Sequence, residues 1–257
     1  MLKLLPILIK NWFVRSTLSI KMSQIHYLFH PNLAQQNLEN YFDPAYWKRQ
    51  NKILGSATGR GVTWFLATEQ QVKCNSALRH YYRGGLFGKL IKDHFLFTGL
   101  NQCRSIKEFQ LLQQLKQKGL PVPTPIAARV KRTLLCYQAD ILIELIENGR
   151  DLVAILQEKI LPDDIWRQIG KLIRQLHDKQ VFHSDLNAHN ILLQSLDNQQ
   201  YKLWLLDFDK CDFRQGDEWK AANLQRLYRS FQKEIHRHQI KFTQQNWQTL
   251  LQGYHSH

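Results

Sequence analysis

Cysteine is scarce in this chain: four among 257 residues, at 74, 103, 136 and 211. Their gaps are long and irregular, and none is a C-x-x-C pair. That argues against a structural zinc site and against a dense disulfide framework. Reduced thiols in a cytosolic compartment are the simpler account. Glycine (12) and proline (7) are too few for a collagen-like or linker-dominated chain. Long apolar runs are also missing. A bilayer span needs about 20 mostly apolar residues, and no segment supplies them. The stretch from Met1 to Ile20 comes nearest, but Lys3, Lys10 and Arg15 interrupt it. Its longest apolar run, Leu4 to Ile9, is shorter than a signal-peptide core, and no small-residue cleavage site follows. Residues 1–21 read as a basic, weakly amphipathic surface anchor or, more simply, as an extension upstream of a start at Met22. Acidic residues are in deficit, 21 against 35 Lys and Arg, for a net charge of +14. Such a surface attracts polyanions (nucleic acid, acidic membrane, phosphorylated substrates) without choosing among them.

What is plentiful is core material. Hydrophobic residues make up 44% and aromatics 11%, which excludes a disordered tail protein. Seven Trp and 13 Phe need a folded interior. The length fits one or two domains. There is no internal repeat and no low-complexity run.

The chain reads in two halves. The first mixes short β-like runs with one helix. GSATGRG at 55–61, followed by Val62 to Leu66, suggests a strand–loop–strand hairpin, with Ser76 to Tyr82 as a third strand. Arg104 to Gly119 carries Ile106, Phe109, Leu112 and Leu115 at steps of three, which predicts one helical face. Gly119 and Pro121 end that helix, and Pro121, Pro123 and Pro125 force an extended segment. Ala139 to Ile146 has the length of a strand. In the second half, Asp163 to Gln180 predicts an amphipathic helix with Ile165, Ile169, Leu172, Ile173 and Leu176 on one stripe. Short strands are expected around Ile191–Leu193 and Leu203–Leu206, and the tail from Trp219 is helix-like.

The strongest chemical signal is His183-Ser-Asp-Leu-Asn-Ala-His-Asn190, then an apolar hairpin, then Leu205-Leu-Asp207-Phe-Asp-Lys210. This is the H-x-D-x-x-x-x-N pattern of a protein-kinase catalytic loop, followed by an Asp at a strand end. Phosphoryl transfer needs a carboxylate to accept or orient the proton of the attacking hydroxyl. Asp185 suits that task. It also needs oxygen ligands for Mg²⁺ on the ATP phosphates, for which Asn190 and Asp207 suit. His183 would brace the loop. Polar residues at turns and caps are the bland alternative, and the complete spacing weighs against it.

The first half offers the nucleotide-binding parts. Backbone N–H groups of the hairpin loop, at Gly59, Arg60 and Gly61, suit phosphates, although an ordinary hairpin turn is an equal reading. Arg79 stands where a kinase has its phosphate-pairing lysine, and Arg pairs with phosphate bidentately. Glu108, on the following helix, is placed to hold it. A surface ion pair is the plain alternative for these two. The segment Glu144 to Ile146 looks like a hinge whose backbone groups could read an adenine edge.

These residues bring a family into view. GSATGRG, ALRHYYRGGLFGKL at 77–90, GLPVPTPIAAR at 119–129, CYQADIL at 136–142, HSDLNAHNILL at 183–193 and WLLDFDKC at 204–211 resemble the lipopolysaccharide-core kinases. The resemblance covers about residues 24–255. It implies an α+β, protein-kinase-like fold of two lobes. The N-lobe would be ATP-binding, β-rich with one helix, at 22–146. The C-lobe would be mainly helical, with catalytic loop and acceptor site, at 147–257. It implies ATP and Mg²⁺ as cofactors. The acceptor it implies is the 4-hydroxyl of 3-deoxy-D-manno-octulosonic acid (Kdo) on the glycolipid Kdo-lipid IVA. It implies a peripheral place on the cytoplasmic face of the inner membrane. It assigns the base to Asp185, the metal ligands to Asn190 and Asp207, and the phosphate cation to Arg79 with Glu108 behind it.

Departures from the protein-kinase pattern are informative. Asn187 replaces the usual Lys, so another cation must neutralise the transferring phosphoryl; Arg60, Arg83 and Lys89 are candidates. Asp209 replaces the Gly of D-F-G, there is no A-P-E, and Lys210 to Lys220 is short for an activation loop. A small or glycan acceptor is therefore expected rather than a peptide. Arg79, Arg83, Lys89 and Lys92, with Tyr81, Tyr82, Leu86 and Phe87, form a basic and aromatic stretch suited to lipid phosphates and an anionic membrane surface, or a plain solvated surface. No nucleic acid and no obligate protein partner is expected. The rival readings are a kinase of the same fold acting on a heptose, choline or an aminoglycoside, and a non-catalytic kinase-like module that binds nucleic acid.

Overall fold

The structure is a computed structural model that describes residues 18–22, 24–30, 33, 37–59, 61–83, 92–196 and 200–256. Arg60, Leu86, Phe87 and Lys89, and most of 1–21, lie outside the described residues. The chain divides into two compact units. One is Met1–Gln117 with Thr124–Leu145, and the other is Lys118–Pro123 with Ile146–His257.

The first unit is built on an eight-stranded antiparallel sheet. Its strands are β1 (Leu18–Met22), β2 (Ile25–Phe29), β3 (Ile53–Thr58), β4 (Val62–Leu66), β5 (Ser76–His80), β6 (Phe95–Leu96), β7 (Pro125–Thr133) and β8 (Cys136–Glu144). The order is β1-β2-β7-β8-β5-β4-β3, with β6 paired to β8. The sheet begins at Leu18, upstream of Met22. GSAT of the glycine-bearing motif lies within β3, which ends at Thr58, and β4 begins at Val62. Helices α1 (Pro44–Arg49), α2 (Glu69–Val72) and α3 (Arg104–Gln117) complete the unit.

Side-chain alternation assigns the two faces of the sheet. Leu78 on β5 pairs with Leu142 on β8, and Arg79 pairs with Ile141. Leu78 and Leu142 join Phe29, Tyr41, Phe42, Trp47, Leu66 and Ile126 in one apolar cluster. Arg79, one residue on, points to the opposite face, where it meets Glu108 of α3. That helix buries Ile106, Phe109, Leu112 and Leu115, the stripe expected of it, and it packs on β7 and β8. The apolar stripe and the Arg79 contact thus share one helix.

The second unit is mainly helical: α4 (Leu152–Glu158), α5 (Asp163–Asp178), α6 (Glu218–His238) and α7 (Gln244–His255). Strands β9 (Gly149–Asp151), β11 (Ile191–Ser195) and β12 (Tyr201–Leu205) form a sheet in the order β12-β11-β9, and β10 (Val181–Phe182) pairs with β13 (Asp212–Phe213). Helices α5 and α7 cross closely because each has glycine at the crossing. A Cβ on Gly170 would strike the Leu250 carbonyl, and one on Gly253 would strike the Arg167 carbonyl. Trp166 of α5 packs edge-on against Phe231 of α6 and Phe242, which themselves stack at 4.4 Å. These contacts hold α6 in place beside the loop that follows α5. Among the described residues no helix is long and apolar enough to cross a membrane.

Candidate active site

The loop from His183 to Asn190 is tied down from inside the second unit. His183 is fully buried. Its Nε2 bonds the Leu206 carbonyl at 3.0 Å, and its Nδ1 faces the Asp185 N–H at 3.3 Å. Both contacts suit one neutral tautomer, with Nε2 donating and Nδ1 accepting. Burial lowers the His183 pKa in the same sense. At the other end of the loop, Asn187 caps the turn Ala188–Asn190, its Oδ1 accepting from the N–H groups of His189 and Asn190. The side chains of Asn187 and Asn190 both donate to the Asp185 carbonyl, at 3.0 and 2.9 Å.

Leu206 links this loop to Asp207. Its carbonyl accepts from His183 and its N–H donates to the Asn190 carbonyl at 2.9 Å. Leu206, the residue just before Asp207, is therefore held from both ends of the loop. Asp207 itself has φ +58, in the left-handed region that Asp tolerates better than most residues. Ser184 Oγ donates to the Asp209 carbonyl at 2.9 Å, and the Ser184 N–H donates to Cys211 Sγ at 3.3 Å. Asp185, Asn190 and Asp207 thus share one hydrogen-bonded framework. Because the Asn190 amide nitrogen is spent on Asp185, its Oδ1 is the end left to serve as a ligand.

Helix α6 runs beside the loop and touches it rung by rung. Asn223 Nδ2 donates to the His183 carbonyl at 2.8 Å. Arg226 Nη2 meets Asp185 Oδ1 at 2.5 Å. Ser230 Oγ accepts from the Ala188 N–H at 3.1 Å. Glu234 Oε2 stands 3.7 Å from His189 Nε2. Positions 223, 226, 230 and 234 follow the three-and-four spacing of one helical face. Sequence reasoning missed this stripe. Its signal was a row of polar residues at helical spacing, in a tail expected only to be helix-like. Arg226 is the consequential omission, since it brings a cation directly to Asp185.

A second buried imidazole anchors α5 to this framework. His177 Nδ1 contacts the Tyr254 hydroxyl at 2.8 Å and its Nε2 contacts Asn223 Oδ1 at 3.2 Å. Burial lowers its pKa from 6.5 to about 4. Asn223 therefore bridges His177 and the His183 carbonyl.

The expected phosphate-binding pair lies within the first unit. Arg79 Nη2 reaches both Glu108 oxygens, at 2.6 and 2.5 Å. Glu108 is 2% exposed, and it also accepts from the Tyr81 hydroxyl at 2.6 Å. The guanidinium of Arg79 lies 5.0 Å from the Tyr81 ring centroid. Glu108 is buried and the Arg79 side chain is 23% exposed, so this is a partly buried, multiply bonded pair rather than a surface one. At the β3–β4 turn the Gly59 N–H donates to the Gly61 carbonyl at 2.9 Å. Gly61 is packed so tightly that a Cβ there would run into the Tyr82 ring. The Glu144 N–H is committed to the Thr124 carbonyl, and its carboxylate accepts from Thr124 N and Oγ1 at 3.0 and 2.5 Å. Glu144 belongs to the first unit, which ends at Leu145, and Ile146 to the second; the Ile146 carbonyl accepts from the Gly149 N–H. Arg83 is turned to the His94 carbonyl at 2.6 Å.

A braced H-x-D loop with an Asn and an Asp on its frame, in a helical unit, and a partly buried Arg–Glu pair between strand and helix, in a β-rich unit, define a protein-kinase-like phosphotransferase. Solved structures agree on the fold. The chain is similar to "WaaP in complex with acyl carrier protein" at TM-score 0.54 and 16% identity, over 85% of this chain and 86% of that one. It is similar to the Rio2 kinase–ADP/Mg²⁺–phosphoaspartate complex from Chaetomium thermophilum at TM-score 0.51 and 15% identity, over 92% and 80%.

Sequence likeness narrows the class. The chain belongs to the lipopolysaccharide kinase (Kdo/WaaP) family, whose model matches residues 44–254. A 3-deoxy-D-manno-octulosonic acid kinase of Haemophilus influenzae (strain 86-028NP) is 54% identical over 90% of this chain and 96% of its own length. Proteins of the same name from Actinobacillus succinogenes and Photobacterium profundum are 54% and 50% identical, over 92% and 88% of this chain and 99% and 93% of their own. The activity is accordingly that of an ATP-dependent kinase of lipopolysaccharide biosynthesis.

Proposed function

We propose that the protein transfers the γ-phosphoryl group of ATP to the 4-hydroxyl of the Kdo residue on Kdo-lipid IVA. The observation that carries this reading is the frame joining Asp185, Asn190 and the residue before Asp207, with Arg226 against Asp185. In this reading Asp185 orients the sugar hydroxyl and takes its proton. The bond from that oxygen to phosphorus forms as the bond from phosphorus to the ADP oxygen breaks. Arg226 is the cation that holds the Asp185 carboxylate. Arg79 steadies the nucleotide phosphates, and Glu108 holds Arg79.

Asn190 Oδ1 and the Asp207 carboxylate are hard oxygen donors, a set that suits Mg²⁺ better than a softer metal. When bound, Mg²⁺ supplies positive charge to the phosphates. The high identity to relatives named Kdo kinases, over nearly their whole length, supports the acceptor. A lipid-borne acceptor calls for a membrane-facing surface. The β7–β8 hairpin tip supports one: Leu134 and Leu135 are 81% and 74% exposed, beside Leu96 of β6 and the basic Lys131 and Arg132. Such a tip suits the anionic cytoplasmic face of the inner membrane.

The test is to incubate purified protein with ATP, MgCl₂ and Kdo-lipid IVA, and with heptose, choline and aminoglycoside acceptors in parallel. Mass spectrometry should find one added phosphate on Kdo-lipid IVA alone. Phosphate on another acceptor, with Kdo-lipid IVA unchanged, would overturn the assignment.

A further inference from the structure

We infer that His189, Glu234 and His238 form a binding site for one divalent transition-metal ion, with zinc the best fit. The site lies wholly within the second unit and uses none of the residues assigned to the nucleotide metal.

Three ligand atoms converge. One atom from each residue lies within 4.8 Å of the other two. Glu234 Oε2 is 3.7 Å from His189 Nε2 and 3.5 Å from His238 Nε2. Those separations are long for N–H···O bonds, which cluster near 2.9 Å. They approach the edge of a tetrahedron: ligands held at about 2.0–2.1 Å from zinc stand roughly 3.3–3.4 Å apart. Small side-chain shifts would close the difference.

An independent observation points to a missing partner. Glu234 is 4% exposed, and its Oε2 is buried with no hydrogen-bond partner. A buried carboxylate oxygen left unsatisfied is costly. An ion between the two imidazoles would satisfy it.

The surroundings fit as well. His189 Nδ1 faces Asp151 Oδ1 at 3.2 Å. Asp151 is itself fixed, because the same oxygen accepts from the Ala154 N–H and caps α4. A carboxylate on Nδ1 sets the tautomer that leaves the Nε2 lone pair for a metal. The rings of His189 and His238 are nearly perpendicular, with centroids 6.3 Å apart. Both histidines are about half exposed, which leaves an entry path and room for a water in the fourth position. Two imidazoles and one carboxylate suit zinc and its neighbours, whereas Mg²⁺ prefers six oxygens. The cysteine pattern gave no sign of such a site because its ligands come from a loop and a distant helix. The bound ion fastens the turn Ala188–Asn190 to α6, as a further rung beyond Ser230.

The experiment uses the full chain, treated with chelator and returned to buffer containing MgCl₂. ZnCl₂ is titrated by calorimetry and CoCl₂ by visible absorption, in the wild type, His238→Gln and Glu234→Gln. The expected result is one more tight zinc equivalent in the wild type than in either variant, with at least roughly 100-fold weaker binding at that site once a ligand is lost. Four-coordinate Co²⁺ bands should appear in the wild type and be lost in His238→Gln. ZnCl₂ should raise the wild-type Tm by several degrees when present well above Kd, and not that of His238→Gln. Should Glu234→Gln fail to fold, His238→Gln decides, because that side chain is half exposed. No zinc uptake, or the same stoichiometry and affinity in the wild type and His238→Gln, would overturn the proposal. In that event the triad is a plain contact between a buried carboxylate and two imidazoles.

Discussion

Replacing Arg226 by methionine should damage catalysis far more than stability. The Arg226–Asp185 contact is 2.5 Å long, but its side chains are 45% and 32% exposed. Exposed pairs of this kind contribute about 0.2–1 kcal/mol to folding. A loss of that size shifts the Tm of a domain this large by no more than about 4 °C. Its role in the reaction is larger, because the same cation holds the carboxylate that must meet the sugar hydroxyl. Unit charges about 4 Å apart interact by roughly 1 kcal/mol in water and 4 kcal/mol at an effective dielectric near 20. Taking the lower part of that range for a half-exposed site, and tenfold per 1.4 kcal/mol, gives a loss of about 10–100-fold in kcat. KM for ATP should move less than about threefold, since Arg226 is assigned no nucleotide contact. Arg226→Lys should recover part of the rate, because a single charged donor can still reach Oδ1. The assay is steady-state transfer to Kdo-lipid IVA, with Tm measured on the same preparations. A methionine variant within twofold of wild type in kcat would refute the reasoning, as would a rate loss fully accounted for by unfolding.

Acid should weaken the fold through His177. Its folded pKa of about 4 lies below the ordinary 6.5, so the unfolded chain binds the proton first as pH falls. The contribution is fully present above pH 6.5 and is lost progressively down to about pH 4, up to about 3 kcal/mol. Buried His183 adds in the same direction. Urea titrations across that window should show a flatter pH dependence in His177→Gln, and an unchanged slope would count against the buried-neutral assignment. Glu108→Gln should cost about 3 kcal/mol by leaving Arg79 without its buried countercharge. In a double-mutant cycle with Arg79→Met the losses should be clearly less than additive, and additivity would contradict the pairing. Changing Leu134 and Leu135 together to serine should weaken sedimentation with anionic vesicles by roughly tenfold, at unchanged Tm. Equal sedimentation would remove the hairpin from the membrane contact.

Apolar period and turn residues carried most of the long elements, and the family resemblance carried the α+β fold class. The stripe Ile106, Phe109, Leu112 and Leu115 marked α3 to within two residues of its end, and Ile165 to Leu176 did the same for α5. The pieces that escaped lack a period long enough to read. Helices α1, α2 and α4 are short, and β6, β10 and β13 have two residues each. The placement of GSAT also misled, because small residues that suit a turn here run on as β3. A bulge falls between Ile53 and Gly55. In the site, the residues named by motif spacing were legible because one loop carries them. Arg226, Ser230 and Glu234 were not, because their meaning depends on which face of α6 meets that loop. The packing of α6, which buries Trp219, Leu224, Leu227 and Phe231, decides that face.

The most direct measurement is single-turnover transfer from radiolabelled ATP to Kdo-lipid IVA by Asp185→Ala, beside nucleotide binding by the same protein. The account predicts a rate lower by about 100–10,000-fold, the range expected on loss of a proton-accepting group, with ATP binding within about twofold of wild type. Transfer at the wild-type rate would contradict it.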